Sequence, residues 1–226
     1  MAWRRLYDPD GAVQLKKYAI NEIFGTLQGE GAQSGSPAVF LRFAGCNLGY
    51  EVCPWCDTDW ARTEHLVDVD GVLGLVRECA IETFGEERPG LLLVATGGEP
   101  SIQFDRPLAD ALRARGYRIS MESNGSRPID RSLVDWLTIS PKQAEFVQKV
   151  GDELKIVFTG GAAAGPAASV EDVQRLAAGT SFQHYFLQPL DDRDSGPNFG
   201  ATSDAVMRLG PPWRLSVQTH KILGIP

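Results

Sequence analysis

The sequence predicts an α/β protein built on a parallel sheet, which is either open and doubly wound or curled into a barrel. Strand-like and helix-like segments alternate along the chain, and the strand-like segments are continuously apolar. That pattern is expected where helices cover one face of a sheet and a core fills the other. In addition, polar residues with Gly or Pro follow successive strands, at the edge where parallel α/β folds bind ligands.

Short runs of apolar or β-branched residues predict the strands, at 38–43, 91–95, 117–121, 136–139, 154–158, 185–187 and 214–217. Amphipathic stretches between most of them predict helices, at 70–84, 106–115, 170–178 and 202–209. We expect one domain over residues 1–226, in which residues 1–18 form a polar N-terminal extension. No internal repeat is evident.

Composition restricts the function classes. The chain has 226 residues, 43% hydrophobic and 23% charged, which is typical of a soluble globular protein and excludes a disordered one. Its formal charge of −7 argues against broad contact with nucleic acid or an anionic membrane. The longest wholly apolar run, 91–95, is far shorter than the ~20 residues of a membrane span. No segment resembles a signal peptide, so we expect a cytoplasmic protein.

The four cysteines are unevenly placed. Cys46, Cys53 and Cys56 fall within eleven residues, whereas Cys79 stands alone. Four cysteines are too few for a disulfide scaffold, and clustered cytosolic cysteines are more often metal ligands or redox groups. Cys79 shares helical spacing with apolar residues of 70–84, which predicts that it packs as a small core hydrophobe.

Three interpretations of the cysteine cluster remain open on spacing alone. A zinc site would need a fourth ligand, and the nearest histidine, His65, lies nine residues beyond Cys56. A thioredoxin-like pair Cys53-Pro54-Trp55-Cys56 would leave Cys46 unexplained. An iron–sulfur cluster with three cysteine ligands would leave one iron open to a substrate or cofactor.

Other motifs point to a family. The first motif precedes the cysteines and reads Glu22-Ile23-Phe24-Gly25-Thr26-Leu27-Gln28-Gly29-Glu30-Gly31. The second contains two of the cysteines and reads Cys53-x-x-Cys56-Asp57-Thr58. The third lies further along the chain and reads Thr96-Gly97-Gly98-Glu99-Pro100. Ser140-Pro141-Lys142, Gln188-Pro189 and the ending His220-Lys221-Ile222-Leu223-Gly224-Ile225-Pro226 extend the pattern. Together they resemble the 7-carboxy-7-deazaguanine synthases of the radical S-adenosylmethionine superfamily, over nearly the whole chain after about residue 18. One departure is that six residues separate Cys46 from Cys53, where the superfamily usually has three.

The resemblance implies a partial (β/α) barrel of about six parallel strands, with the active site at its carboxyl-terminal mouth. A length of 226 residues suits a shortened barrel, because a complete eight-fold one takes ~250. The implied reaction converts 6-carboxy-5,6,7,8-tetrahydropterin to 7-carboxy-7-deazaguanine with loss of ammonia, a carbon–nitrogen lyase reaction of queuosine and 7-deazapurine biosynthesis. It would begin with hydrogen abstraction and end in ring contraction.

The resemblance also implies the site residues and cofactors. Cys46, Cys53 and Cys56 would hold a 4Fe-4S cluster, and Thr58 would bind Mg²⁺. S-adenosyl-L-methionine would be bound by Gly98, Ser123, Ser140, Pro141, Lys142 and Gln188. The substrate would be bound by Leu27, Gln28, Gly29, Arg42, Thr96 and Pro226. No further catalytic residue is expected.

Two of these substrate residues have arguments of their own. Arg42 ends an apolar strand directly before the cysteines, and a planar guanidinium can pair bidentately with the substrate carboxylate. The hydrophobic ending of the chain suggests that residues 218–226 dock as a tail that closes the active site, placing the Pro226 carboxylate against the pterin.

Expected partners are the small-molecule pterin, an electron donor such as flavodoxin or ferredoxin, and a second copy in a homodimer, with no nucleic acid and no membrane. Two alternatives remain: a radical activase of a protein partner, and a zinc or thiol-redox module without radical chemistry. An activase would share the cluster residues but has no reason to carry the 26–31 motif.

Overall fold

A computed structural model describes residues 15–161, 165–192 and 196–226. Most of the predicted extension, residues 1–14, therefore lies outside the described residues. The strands are β1 (Tyr18–Leu27), β2 (Pro37–Phe43), β3 (His65–Val67), β4 (Leu92–Gly97), β5 (Arg118–Ser123), β6 (Trp136–Ile139), β7 (Val150–Phe158), β8 (Ser181–Pro189), β9 (Asp191–Asp192), β10 (Gly196–Pro197) and β11 (Trp213–Leu215). The helices are α1 (Gly49–Val52), α2 (Val69–Phe84), α3 (Arg106–Ala114), α4 (Val170–Ala177), α5 (Phe199–Leu209) and α6 (Thr219–Leu223).

Nine strands form one open sheet in the order β11-β8-β7-β6-β5-β4-β2-β1-β3. The seven from β2 to β11 run parallel, and they correspond to the seven predicted strand segments. The four predicted helices correspond to α2 through α5. The predicted open α/β fold is thus confirmed, with seven parallel strands where about six were expected.

The two faces of the sheet have different roles. Alternate residues of each strand, such as Val39, Leu41 and Phe43 of β2, pack with the helices in the main hydrophobic core. On the other face only a small apolar cluster forms among the described residues, from Ala38, Leu92 and Val94. The inner face is therefore largely free to line a cavity, because the side chains of a strand point alternately to its two faces.

Side-chain caps fix where the main helices begin. The Asp68 carboxylate accepts a hydrogen bond from the Gly71 amide at the start of α2, and Asp105 accepts one from the Leu108 amide at the start of α3. A reciprocal Ser169–Asp172 capping box starts α4. Such caps satisfy amide groups that would otherwise lack a partner in the first turn of a helix. In α2, Cys79 packs at the edge of the core and is half-buried.

The antiparallel strands at one edge of the sheet, β1 and β3, were not predicted. β1 pairs antiparallel with both β2 and β3, and its register shifts between Ile20 and Glu22. Such an irregularity interrupts the alternation of buried and exposed residues by which a strand is recognised in sequence. None of the helices in residues 15–161, 165–192 and 196–226 is long and apolar enough to cross a membrane.

Candidate active site

A cavity of about 330 Å³ opens at the carboxyl ends of the parallel strands. This is the edge at which parallel α/β folds bind ligands. Fourteen of the sixteen predicted site residues line it: Leu27, Gln28, Arg42, Cys46, Cys53, Cys56, Thr58, Thr96, Gly98, Ser123, Ser140, Lys142, Gln188 and Pro226. Gly29 and Pro141 do not line it, although both adjoin residues that do. The polar clusters after separate strands therefore come together in one site.

The segment from Gly45 to Thr58, here the cysteine loop, follows β2 and is anchored at its start by backbone contacts. The Gly45 amide donates to the Trp60 carbonyl at 2.8 Å, and the Gly45 carbonyl accepts from the Glu99 amide at 2.9 Å. The long spacer folds into α1, and Tyr50 of this helix stacks on Trp60 with ring centroids 4.8 Å apart. Cys53 caps the end of α1, so the pair Cys53–Cys56 does not open a helix as a thioredoxin-like motif would.

Gly97 and Gly98 pack directly against this loop. A Cβ atom on Gly98 would lie 2.1 Å from the Gly45 carbonyl oxygen and 3.0 Å from the Cys46 Cβ. Gly97 has φ = +122°, and a Cβ there would lie 2.2 Å from the Phe43 carbonyl oxygen. Only glycine fits such close backbone approaches at a positive φ. The two glycines thus allow the β4 end and the cysteine loop to share one wall of the cavity.

Glu99 ties the loops after β4 and β5 together. Its side chain is fully buried. One carboxylate oxygen accepts hydrogen bonds from the Ser101 amide at 3.0 Å and the Ser123 hydroxyl at 2.8 Å. The other accepts from the Asn124 amide at 2.8 Å. A buried carboxylate needs such donors to offset the water it has lost, so Glu99 has a structural role in this site.

The three loop thiols have the donor chemistry that an iron–sulfur cluster requires. All three line the cavity, and burial raises the pKa of Cys53, an effect that the Lys142 ammonium opposes and the neighbouring Cys56 and Cys46 reinforce. Across the described residues, no three or more His, Cys, Asp or Glu side chains are arranged around a common metal position. His65, the histidine considered for zinc, lies on β3, paired with Ile20, and does not line the cavity. The match between this site and an iron–sulfur cluster therefore depends on three thiolates, which are soft donors, in one wall of the cavity.

Lys142 stands beside the cysteines on the loop after β6. Its ammonium donates to the Ser140 hydroxyl at 2.8 Å and lies 5.4 Å from the centre of the Trp55 ring. Burial lowers the pKa of Lys142, while the nearby Cys53 acts in the opposite direction. Lys142 thus supplies positive charge next to groups that act as metal ligands only when they are deprotonated.

Arg42 is held on three sides at the end of β2. Its Nε donates to Glu22 Oε1 at 2.6 Å, and its Nη1 donates to Thr58 Oγ1 at 3.3 Å. The guanidinium also lies 5.6 Å from the centre of the Phe24 ring. These contacts use Nε and one Nη1 proton, so the edge formed by Nη1 and Nη2 can still pair with a carboxylate. Thr58, the predicted magnesium ligand, therefore contacts the predicted carboxylate-binding residue.

Several charged residues of the cavity were not predicted from the sequence. Lys155 on β7 is 3% exposed, and its ammonium contacts Glu30 Oε2 and, at 3.4 Å, Glu122 Oε2. Glu122 Oε1 also accepts a hydrogen bond from Gln28 Nε2 at 2.8 Å. Glu153, 2% exposed, is a third carboxylate close to Lys155, and burial raises its pKa. These four residues (Glu30, Glu122, Glu153 and Lys155) are called the Lys155 cluster below. Its sequence signal is the presence of three charged residues, Asp152, Glu153 and Lys155, on a strand whose other residues are apolar or glycine.

The C-terminal segment covers part of the cavity. Thr26 Oγ1 donates to the Pro226 carbonyl oxygen at 2.8 Å. Gly29, predicted as a substrate contact, lies beneath this segment: its carbonyl accepts from the Thr219 amide at 2.9 Å. A Cβ on Gly29 would lie 2.0 Å from His220 Nδ1, so the missing side chain makes room for α6. The tail is therefore docked through polar contacts, whereas Ile222 and Leu223 of the hydrophobic ending are exposed, so the apolar residues on which the expectation was based do not hold it.

Comparisons with known proteins agree with this geometry. The chain is 43% identical to the 7-carboxy-7-deazaguanine synthase of Burkholderia multivorans, over 92% of this chain and 99% of that protein. It is 42% identical to the same enzyme of Bordetella pertussis, with the same coverage. The crystal structure of QueE from Escherichia coli superposes with a TM-score of 0.65 at 26% identity, covering 89% of this chain and 94% of that one. No family model matches the chain. On its close similarity to these curated relatives, the chain belongs to the 7-carboxy-7-deazaguanine synthase family.

Proposed function

We propose that this protein converts 6-carboxy-5,6,7,8-tetrahydropterin to 7-carboxy-7-deazaguanine with loss of ammonia, in queuosine and 7-deazapurine biosynthesis. The observation that carries the proposal is one cavity in which three cysteines and a glycine-lined wall face a guanidinium suited to a carboxylate. Membership of the synthase family supports the same reaction. A protein-directed activase would have no reason to line its cavity with the 26–31 motif and the chain-terminal Pro226.

The donor set supports a radical S-adenosyl-L-methionine chemistry. Cys46, Cys53 and Cys56 would hold three irons of a 4Fe-4S cluster, leaving the fourth iron for the cofactor. Together the cluster and S-adenosyl-L-methionine would supply the carbon radical that abstracts hydrogen from the substrate. Gly98, Ser123, Ser140, Lys142 and Gln188 line the wall that we assign to S-adenosyl-L-methionine. Pro141 is buried between two of them and would fix their backbone.

Substrate recognition is assigned to the other part of the wall. Arg42 pairs with the pterin carboxylate through the guanidinium edge that Glu22 and Thr58 leave unused. Leu27, Gln28, Thr96 and Pro226 would contact the ring system, and Gly29 would act by letting the tail approach closely. The Thr58 hydroxyl is an oxygen donor of the kind Mg²⁺ prefers, and we propose it as a ligand that magnesium would share with the substrate.

Exclusion of water is the remaining task of the protein. Phe24 and Phe40 stack with ring centroids 5.1 Å apart, and both line the cavity with Trp55 and Trp60. An apolar wall keeps competing hydrogen donors away from a radical, which would otherwise be quenched. We further propose that the electron comes from a flavodoxin or ferredoxin and that the enzyme works as a cytoplasmic homodimer.

Anaerobic incubation with reductant, S-adenosyl-L-methionine and the pterin tests the function directly. We expect a product with the mass of 7-carboxy-7-deazaguanine and one equivalent of ammonia per turnover. The Cys53→Ala variant is the matched control and should form neither. Purification of a colourless zinc protein without sulfide, or an iron–sulfur protein that leaves the pterin unchanged, would contradict the proposal.

A further inference from the structure

We propose that Glu30, paired with the buried Lys155, is the positioning residue that holds the C-terminal segment over the cavity and thereby sets substrate affinity. This inference rests on the proposed function of the same site, since Pro226 of that segment lines the cavity. Glu30 lies in the turn after β1, far in sequence from the residues it holds.

Glu30 joins three separate parts of the chain through one carboxylate. Its Oε1 accepts hydrogen bonds from Gln218 Nε2 at 2.8 Å and from Gln188 Nε2 at 3.0 Å. Its Oε2 accepts from the Lys155 ammonium. Gln218 is the N-cap residue directly before α6, so the carboxylate holds the segment at the start of its helix.

The backbone on both sides of Glu30 contacts the same segment. The Gly29 carbonyl accepts from both the amide and the hydroxyl of Thr219, at 2.9 and 3.0 Å. The Gly31 amide donates to the Ser216 hydroxyl at 2.9 Å. Fixing the Glu30 side chain therefore also fixes the main-chain groups that contact residues 216–219.

The charge of Glu30 depends on its surroundings. Burial would raise its pKa, but the Lys155 ammonium, the hydrogen bond from Gln218 and the nearby His220 outweigh that effect and hold the pKa well below its usual range. Lys155 in turn faces Glu122 and Glu153 as well as Glu30, and these carboxylates raise its pKa despite burial. The pair stays charged in a site where an unpaired ion would be costly.

The contact at Glu30 is linked to the cavity through the short segment that follows it. Beyond α6 the chain returns to β1, where the Pro226 oxygen accepts from Thr26. Pro226 lies eight positions after Gln218, so a segment freed at Gln218 is held over the cavity by fewer contacts. Ligand affinity then falls, because part of the cavity wall has to be ordered upon binding.

Limited trypsin digestion of the purified, cluster-free protein measures this docking without any catalysis. The reporter is cleavage of the Lys221–Ile222 bond within α6, followed by mass spectrometry, and cleavage after Arg175 in α4 is the internal reference. For Glu30→Gln we expect cleavage after Lys221 to accelerate on the order of tenfold, the size of a lost charged hydrogen bond, with no change after Arg175.

Glu153→Gln is the matched control, because it makes the same change in the same cluster, yet Glu153 bonds to the Ala32 amide rather than to the tail. It should leave the cleavage rate after Lys221 unchanged. Equal acceleration in both variants, or none in Glu30→Gln, would overturn the proposal. Gly29→Ala provides a second route, since its Cβ would collide with His220 and should also expose the bond after Lys221.

With the loaded enzyme, Glu30→Gln should raise KM for the pterin about tenfold while kcat falls less than about twofold. A fall in kcat at unchanged KM would contradict a positioning role. If the wild type does not turn over the pterin at all, the proposed function fails, whereas the digestion result still decides whether Glu30 holds the tail.

Discussion

The start of the cysteine loop is anchored by backbone groups, whereas the Lys155 cluster is held together by charged side chains. The loop is fixed by amide–carbonyl bonds at Gly45 and Gly98 and by the absence of side chains at two glycines. The Lys155 cluster is fixed by one ammonium among three carboxylates.

This difference fits what we propose that each region binds. A metal cluster needs ligand side chains that are not already engaged, so the loop has to be rigid without using its thiols. A polar organic ligand and a docked tail need charges whose positions are already set, and buried ion pairs provide them. Four predictions test this division.

The largest effect is expected at the cysteines. Cys46→Ala, Cys53→Ala and Cys56→Ala should each lose the reconstituted iron and all turnover. The melting temperature of the apoprotein should change little, because backbone groups and side chains other than the thiols anchor the loop. Iron and sulfide analysis after anaerobic reconstitution provides the measurement. Cys79→Ala is the control and should keep full iron; a variant of the first three that also keeps it removes that residue from the ligand set.

Glu99 tests whether the loop wall depends on its buried carboxylate. Glu99→Ala leaves the donors from Ser101, Ser123 and Asn124 without their acceptor and should lower the free energy of unfolding by about 3 kcal/mol. Chemical denaturation measures this loss. The exposed Glu86→Ala, which removes a surface pair with Arg88, should change it by less than about 0.5 kcal/mol. A comparable loss in both variants would show that burial of Glu99 is not what matters.

Arg42 separates substrate affinity from cofactor affinity. Arg42→Ala should weaken pterin binding about 10- to 100-fold, because a carboxylate loses a bidentate partner, and should leave S-adenosyl-L-methionine binding unchanged. Calorimetric titration with each ligand measures the two affinities. Glu22→Gln removes only the exposed partner of Nε and should cost less than about threefold. Equal weakening of both ligands by Arg42→Ala would indicate misfolding of the site instead.

The smallest effect is expected from acid titration of the Lys155 cluster. The pKa of Glu30 lies below that of an unfolded glutamate, about 4.3, so its ionised form stabilises the fold above that pH. This contribution is lost as the pH falls towards the folded-state value. The difference in unfolding free energy between wild type and Glu30→Gln, about 1–2 kcal/mol, should therefore be constant from about pH 5 to 8 and shrink below about pH 4. A difference that already declines between about pH 7 and 5 would contradict the assignment.

The sequence predicted the parallel part of the sheet because each of those strands contains a short, mostly apolar or β-branched run. β1 was not predicted, since its irregularity at Ile20 and its antiparallel pairing depend on β2 and β3. In the site, most of the predicted residues line one cavity because motifs at strand ends converge geometrically. Lys155 could not be assigned from sequence, because its partners Glu30 and Glu122 are brought to it only by the fold.

Gly29 is a second residue whose partner could not be predicted from the sequence. A glycine in a motif predicts a close approach but not what approaches, and here the neighbour is His220, about 190 positions later in the chain.

The bond between Thr26 and Pro226 joins residues 200 positions apart. Contacts of such separation form late in folding, because the loop that they close is entropically expensive. We therefore expect the sheet and the cysteine loop to assemble first while the mouth of the site is still open. The proposed iron–sulfur cluster would then enter a nearly finished protein, and the C-terminal segment would close over the site after it.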